Sequence, residues 1–152
     1  MKKLFVCVAV ALLAAGCNSE DGGGSPTDPS QVNIEFSFSD LVVGTGAEAV
    51  VGTRATLANW EVFLYNAAGT ASKGTSIQNQ NSILQGAPAG PITFVIGSGS
   101  LIPGFDQGVR GMKVGGKRRI YVPSSMAYGS RGSGSIPPNA ALVFEIELTN
   151  VQ

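Results

Sequence analysis

The chain contains no histidine, and its only two cysteines, Cys7 and Cys17, lie close to the N-terminus. The absence of histidine excludes Ser-His-Asp and Cys-His catalytic centres, and it excludes zinc sites with imidazole ligands. The chain after Cys17 can form no disulfide bond, thiolate nucleophile or cysteine metal site. Any reaction in this part of the chain must proceed without these groups, and we expect neither a metal nor another cofactor.

Charge of either sign is also scarce, with 10 Lys and Arg residues against 10 Asp and Glu residues. A mature chain without Lys2 and Lys3 would keep eight basic residues against the same ten acidic ones, a net charge of about −2. Lys117, Arg118 and Arg119 form one basic cluster, and the alternating pattern around them predicts a solvated strand edge rather than a phosphate-binding site. We therefore expect no nucleic acid partner.

Residues 1–16, "MKKLFVCVAVALLAAG", combine two lysines with a short apolar run and small residues, as in a secretory signal peptide. The apolar run is shorter than a transmembrane helix requires. Ala14, Ala15 and Gly16 lead into Cys17, and this junction resembles the lipobox of bacterial lipoproteins, in which the cysteine is acylated and becomes the mature N-terminus. Because Ala14 stands where leucine is usual, cleavage without lipidation remains the alternative.

Residues 17–31 are rich in Gly, Ser, Pro and Asp and poor in apolar side chains, which predicts a flexible tether after the lipidated cysteine. Residues 32–152 then form one domain of ordinary size. A lipid on Cys17 would anchor this domain to a membrane outside the cytoplasm, facing the periplasm. Asn18 is not the aspartate that often retains lipoproteins at an inner membrane, so an outer membrane is favoured.

The domain opens with strand-like segments. The apolar residues of "VNIEFSFSD" alternate with polar ones, which predicts a half-buried strand: Val32, Ile34, Phe36 and Phe38. A short strand and then a longer one, from about residue 53 to 65, follow. Gly44 and Gly46 lie between them and lack the third glycine and the helix of a nucleotide-binding loop, so we interpret them as turn residues with positive φ.

The second half of the domain contains one convincing helix. Residues 66–90 are polar and interrupted by Gly and Pro, which indicates a long surface excursion. Phe105, Val109 and Met112 then recur at helical spacing between two strand patterns. The closing strand alternates from Leu142 to Leu148. These patterns predict an α+β domain in which a bent antiparallel β-sheet wraps around one short α-helix.

Three segments carry a resemblance to a known family: "LIPGFDQGVRGMKVGGKRRIYVP", "MAYGSRGSGSIPPNAALVFEIEL" and, more weakly, "LVVGTGAEAVVG". In order and separation they resemble the FKBP-type peptidyl-prolyl cis/trans isomerases, and the similarity extends over residues 40–152. The resemblance implies the family's bent sheet and helix, with an apolar pocket for proline between them. It also implies proline-containing polypeptides as partners, with macrolide ligands possible, and a monomer is the default.

The resemblance further implies which residues form the pocket. Phe105 would be its floor, where the family usually has tryptophan, and Phe144 and Ile136 would be walls. The backbone N–H of Ile102 and the hydroxyl of Tyr128 would donate hydrogen bonds to substrate carbonyls. The remaining substrate-binding positions follow from the same comparison with the family: Trp60, Ile77, Gln78, Ile92 and Leu101. Taken singly, Phe105 and Phe144 are as well explained by core packing.

A site of this kind suits a chain without histidine, because prolyl isomerisation breaks no covalent bond. Two departures from the family pattern favour alternatives. Trp60 stands where tyrosine is usual, and Gln78 replaces the carboxylate of a Phe-Asp pair while Ile77 replaces its aromatic residue. The first alternative is a proline-binding module or chaperone with little or no activity. The second, supported only by the lipobox and tether, is a structural envelope lipoprotein.

Overall fold

A computed structural model of the chain describes residues 32–77 and 90–152. Within them the sheet contains β1 (Ser37–Val42), β2 (Arg54–Tyr65), β3 (Lys73–Ser76), β4 (Ile92–Val95), β5 (Lys117–Val122) and β6 (Leu142–Val151), and the helix α1 spans Pro103–Val109. The strands pair antiparallel in the order β1-β5-β6-β2-β3, and β4 also pairs with β2. This confirms the predicted fold class. The predicted signal peptide, Cys17 and the tether lie outside the described residues.

The long central strands follow the predicted alternation. β2 begins at Arg54, close to the predicted residue 53, and pairs along most of its length with β6. Side chains on the inner faces of β2, β5 and β6 are buried, and they form a single core with α1. β6 lies between β2 and β5, and its inward-facing residues Leu142, Phe144, Ile146 and Leu148 are all buried.

The first strand differs from the prediction. β1 begins at Ser37 rather than at Val32, and all six of its residues are exposed. Phe38 is 47% exposed and does not enter the core. Its ring stacks on the guanidinium of Arg118, with 4.1 Å between the ring centroid and Cζ of Arg118. The predicted half-buried strand was wrong for β1, which lies at the edge of the sheet and pairs only with β5 among the described strands. Ile34 and Phe36, which precede β1, are half-buried, and Phe36 packs against the core.

Gly44 and Gly46 do not have positive φ, so their interpretation as positive-φ turn residues was wrong. They are required by close packing. A Cβ atom on Gly44 would lie 2.1 Å from the carbonyl oxygen of Lys113, and one on Gly46 would lie 2.7 Å from Cβ of Val114. The segment after β1 can therefore approach the backbone before β5 only because side chains are absent.

The basic cluster is not a solvated edge either. β5 lies between β1 and β6, and Arg118 is only 4% exposed. Its guanidinium donates two hydrogen bonds to the carboxylate of Asp40 and two to the carbonyl oxygens of Gly108 and Arg110, at the C-terminal end of α1. A buried arginine is stable here because four hydrogen bonds and the partial negative charge of the helix end offset its desolvation.

On the outer face of the sheet, Glu145 accepts hydrogen bonds from Arg119 at 2.7 Å and from Lys73 at 3.1 Å. Burial alone would raise the pKa of Glu145, but these two cations outweigh it and lower the pKa below its ordinary value. Arg118 and Arg119 are thus both paired with carboxylates, those of Asp40 and Glu145 respectively.

The helix packs unusually close to the sheet. A Cβ atom on Gly104 would lie 2.3 Å from Cγ1 of Val122, and one on Gly108 would lie 2.5 Å from Cδ1 of Ile120. These two glycines, four residues apart, form the side of α1 that faces β5. The helix ends at Val109, and Gly111 continues with φ 74°, but Met112 is still buried in the core as its helical spacing predicted.

Candidate active site

Phe105 lies in the first turn of α1 and is fully buried. Its ring meets the ring of Phe144 at 5.1 Å between centroids and that of Phe94 at 5.7 Å, both edge-on. Such edge-to-face pairs add specific attraction to the burial of apolar area. The three rings connect the helix to β6 and β4, so Phe105 packs between helix and sheet, and its role as a pocket floor stays a prediction.

Ile102 and Leu101 directly precede the helix and are half-buried against the core. Pro103 occupies the first helical position, where its fixed φ suits the helix and a missing N–H costs nothing. The carbonyl oxygen of Ile102 accepts hydrogen bonds from the N–H groups of Phe105 and Asp106 at 3.1 Å. Among the described residues, no backbone carbonyl accepts from the N–H of Ile102, so this donor is available to a ligand carbonyl.

Phe144 lies on the inner face of β6, where its direct neighbours are Val62 on β2 and Ile120 on β5. The N–H of Ile77, just after β3, donates to the carbonyl oxygen of Val62 at 3.0 Å. This bond brings the buried Ile77 side chain to the same part of the sheet. Val62 is thus the β2 residue directly opposite Phe144, and Trp60 lies two positions away opposite Ile146.

Trp60 is 7% exposed, and its indole Nε1 donates a hydrogen bond to the carbonyl oxygen of Gly90 at 3.2 Å. Gly90 precedes β4, on which Ile92 is buried in the same core. Trp60 and Ile92 therefore pack into the core from the β2 and β4 side. The indole N–H is directed toward the backbone before β4, which gives Trp60 a structural role in joining these strands.

The segment after β5 forms two short 3-10 turns, Ser124–Met126 and Gly129–Arg131, with Tyr128 between them. Tyr128 is half-buried against the core, and this burial raises the pKa of its phenol above the ordinary value. Its hydroxyl is therefore protonated throughout the physiological pH range. A protonated hydroxyl at a partly exposed position can donate a hydrogen bond to a carbonyl oxygen.

Ile136 follows a tight turn at Gly134 and Ser135. Its N–H donates to the carbonyl oxygen of Ser133 at 2.8 Å, and the Ser133 N–H donates back to the Ile136 carbonyl at 3.0 Å. Gly134 has φ 54°, which favours glycine at this position. The turn brings the Ile136 side chain, only 2% exposed, into the core. The Gly/Ser-rich segment is thus a hydrogen-bonded turn that positions an apolar residue.

Nine of the ten predicted pocket residues lie in one apolar cluster or pack against it. Six are buried, namely Trp60, Ile77, Ile92, Phe105, Ile136 and Phe144, and three are half-buried, namely Leu101, Ile102 and Tyr128. The tenth, Gln78, lies outside the described residues. The three half-buried residues are partly accessible at the surface, and the six buried residues belong to the hydrophobic core beneath them.

Sequence reasoning missed Phe94. It is half-buried, contacts Phe105 edge-on and shares the inner face of β4 with Ile92. The signal was available, because Ile92 and Phe94 alternate with Thr93 and residues two apart on a strand face the same way. Gly104 and Gly108 were also missed as packing positions. Their spacing of four residues places them on one face of the helix.

This cluster is apolar apart from three hydrogen-bond donors: the Ile102 N–H, the Tyr128 hydroxyl and the indole N–H of Trp60, which donates to Gly90. Its members include no carboxylate and no amine, and within residues 32–77 and 90–152 no group of three potential metal ligands occurs. No helix in those two ranges has the length and apolar character needed to cross a membrane. The arrangement can remove a planar amide from water and orient it, but it does not provide an acid-base pair.

Comparison with known proteins agrees with this geometry. The profile of the FKBP-type peptidyl-prolyl cis-trans isomerase family matches residues 62–149. An FK506-binding protein of Neisseria meningitidis serogroup A is 41% identical over 113 residues, which are 74% of this chain and 92% of that protein.

Solved structures give the same result. The crystal structure of AtFKBP13 has a TM-score of 0.58 and 35% identity, covering 77% of this chain and 93% of that chain. A peptidyl-prolyl cis-trans isomerase from Pseudomonas syringae has a TM-score of 0.57 and 28% identity, covering 77% and 75% of the two chains.

Proposed function

Because the chain belongs to the FKBP-type peptidyl-prolyl cis-trans isomerase family, we propose that it catalyses isomerisation of X-Pro bonds in the apolar cluster around Phe105. Members of this family bind proline-containing peptides and macrolide ligands. The observation that best supports a retained site is the packing of Phe94, Phe105 and Phe144 beneath a half-buried rim that contains Tyr128.

The proposed mechanism depends on desolvation. The barrier to rotation about a peptide bond is about 18–20 kcal/mol, because rotation removes the amide resonance. The planar amide is more charge-separated than the twisted one, so water stabilises the planar form more. Transfer of the prolyl amide onto apolar aromatic walls would therefore lower the free energy of the twisted form relative to the planar form.

Two donors would then orient the substrate. The N–H of Ile102 and the hydroxyl of Tyr128 would hold carbonyl groups on either side of the reacting bond, and fixed donors lose little free energy on reorganisation. Phe105, Phe144 and Ile136 would exclude water from the prolyl ring. No proton is transferred in this mechanism, which is consistent with the absence of histidine from the chain.

We propose further that the enzyme works outside the cytoplasm on unfolded or exposed polypeptides. Uncatalysed X-Pro isomerisation takes tens to hundreds of seconds at 25 °C and can limit the rate of folding. The N-terminal segment and the Ala14-Ala15-Gly16-Cys17 junction support a secreted, lipid-anchored form. Mass spectrometry of the mature N-terminus tests this part, and an unmodified chain that begins elsewhere than Cys17 would contradict it.

The isomerase proposal is tested with a protease-coupled assay on short X-Pro peptides and with a binding titration using a pipecolyl macrolide. We expect both activity and saturable binding. Binding without activity would instead support the proline-binding module. That alternative rests on Trp60 in place of the usual tyrosine and on Gln78 in place of the usual carboxylate. A protein with neither property would contradict both functions.

The pH dependence tests the mechanism separately. Because the raised pKa of Tyr128 keeps its hydroxyl protonated, kcat/KM for a peptide without ionisable groups near proline should be nearly constant from about pH 5.5 to 8.5. An inflection within this range, with an unchanged circular dichroism spectrum, would show that an ionising group takes part.

A further inference from the structure

The segment that carries the rim residues Leu101 and Ile102 has little internal structure. Between β4 and α1 the chain reads "IGSGSLI", and its residues 97–100 are all exposed. Gly97 and Gly99 have φ values of 80° and 76°, in the region that favours glycine. A Gly/Ser sequence of this kind does not by itself define one path, yet the proposed substrate donor, the Ile102 N–H, lies at its end.

Asp106 holds the beginning of this segment. The residue follows Phe105 in α1 and is 7% exposed, although it carries a carboxylate. Its Oδ1 accepts a hydrogen bond from the N–H of Gly97 at 2.7 Å, and its Oδ2 accepts one from Nη2 of Arg110. The backbone N–H of Asp106 itself donates to the carbonyl oxygen of Ile102. One helical residue therefore contacts both ends of the segment that forms the rim.

We propose that Asp106 is a positioning residue for the isomerase site, an inference that rests on the function proposed above. Its carboxylate fixes Gly97 against the helix, so that the segment closes over Phe105 and presents the Ile102 N–H at a constant position. Hydrogen bonds to an ionised acceptor are roughly twice as strong as neutral ones, which explains a charge rather than an amide at this site. Nothing in the proposed reaction requires Asp106 to contact the substrate.

A simple structural role is the competing explanation, because a buried, paired carboxylate also stabilises the fold. Three variants separate the two. Asp106→Ala removes the acceptor for Gly97, Asp106→Asn retains a neutral acceptor of the same shape, and Arg110→Ala removes the cation but leaves the Gly97 bond. Asp40→Asn is the matched control, because it weakens the buried ion pair with Arg118 at β1 and does not touch this segment.

The measurements are kcat and KM for a short X-Pro peptide and the amide hydrogen exchange of Gly97, at a temperature where each variant is folded by circular dichroism. Asp106→Ala should lower kcat/KM by about 10- to 100-fold, because displacement of a positioning group by about 1 Å can cost that much. Part of the loss should appear in kcat, and Gly97 exchange should accelerate. Asp106→Asn should lose only about threefold, which reflects its weaker acceptor.

Arg110→Ala and Asp40→Asn should lower thermal stability while leaving kcat/KM and Gly97 exchange unchanged. If Asp106→Ala does not fold, Asp106→Asn decides: a reduced kcat/KM with faster Gly97 exchange supports the proposal, and values equal to those of the unmutated protein overturn it.

The two levels of the proposal fail differently. An unmutated protein without isomerase activity would overturn the proposed function and the role of Asp106 with it. An active unmutated protein with an equally active, folded Asp106→Ala variant would overturn the role of Asp106 alone.

Discussion

Replacement of Phe105 by alanine should damage stability and activity by different amounts, because the same side chain belongs to the core and to the proposed pocket floor. It is fully buried and makes edge-on contacts with Phe94 and Phe144. Phe-to-Ala changes in cores cost about 3–5 kcal/mol. Each aromatic pair adds about 0.5–1.5 kcal/mol beyond its buried area, so we expect a loss in the upper part of that range.

A loss of this size should leave a folded population at low temperature, because domains of this size have total stabilities of about 5–15 kcal/mol. The midpoint of thermal unfolding should fall by roughly 10–20 °C. Removal of a large apolar group from a binding pocket costs about 10-fold or more in kcat/KM. The assay is therefore run near 10 °C, at which circular dichroism gives the folded fraction and kcat/KM is corrected for it.

Leu148→Ala is the matched control. Leu148 is fully buried in the same core, on the same strand as Phe144 but four residues further along, and its loss should cost about 2–5 kcal/mol. This variant should keep nearly the full kcat/KM of its folded fraction. Equal losses of corrected kcat/KM in the two variants would refute the pocket role of Phe105 and leave it only a role in the core.

Tyr128→Phe should lower kcat/KM several-fold but reduce stability by no more than about 1–2 kcal/mol, since it removes one hydroxyl and no apolar area. Thermal melting and the peptide assay check this, and a stability loss as large as that of Phe105→Ala would contradict it. Gly108→Ala should raise the unfolding rate and lower the melting temperature, because its Cβ would lie 2.5 Å from Ile120. An unchanged melting temperature would show that α1 can move away from β5 at no cost. The lowered pKa of Glu145 stabilises the fold above its unfolded-state pKa, and this contribution is lost as the pH falls through the lower folded-state value. The free energy of unfolding, measured by chemical denaturation between about pH 5 and pH 3, should therefore depend less on pH for Glu145→Gln than for the unmutated protein. Parallel curves for the two proteins would show that Glu145 does not contribute to the pH dependence of stability.

The convergence of nine predicted residues in one apolar cluster was predictable because they occur in short segments with fixed local geometry. "LIPGFDQ" contains both the rim and the floor, since proline starts the helix and the next turn directs Phe105 into the core. Ile136 and Tyr128 also lie in turns whose Gly and Pro residues specify the backbone. The alternation of β4 placed Phe94 on the same face as Ile92, but its contact with Phe105, eleven positions away, is decided only by the packing of β4 against α1.

The sequence alone determined the α+β class, the positions of the long strands and the lack of histidine and of any cysteine after Cys17, because these depend on local periodicity and residue type. Only the tertiary structure decided the environments of the charged and small residues. Arg118 is buried because β5 lies inside the sheet and the end of α1 supplies carbonyl acceptors. Gly44 and Gly46 are required by a backbone approach across the fold, and Asp106 is buried against a segment that begins nine residues earlier. These environments depend on which segments, distant in sequence, come into contact when the sheet packs around the helix. Local sequence patterns do not specify those contacts.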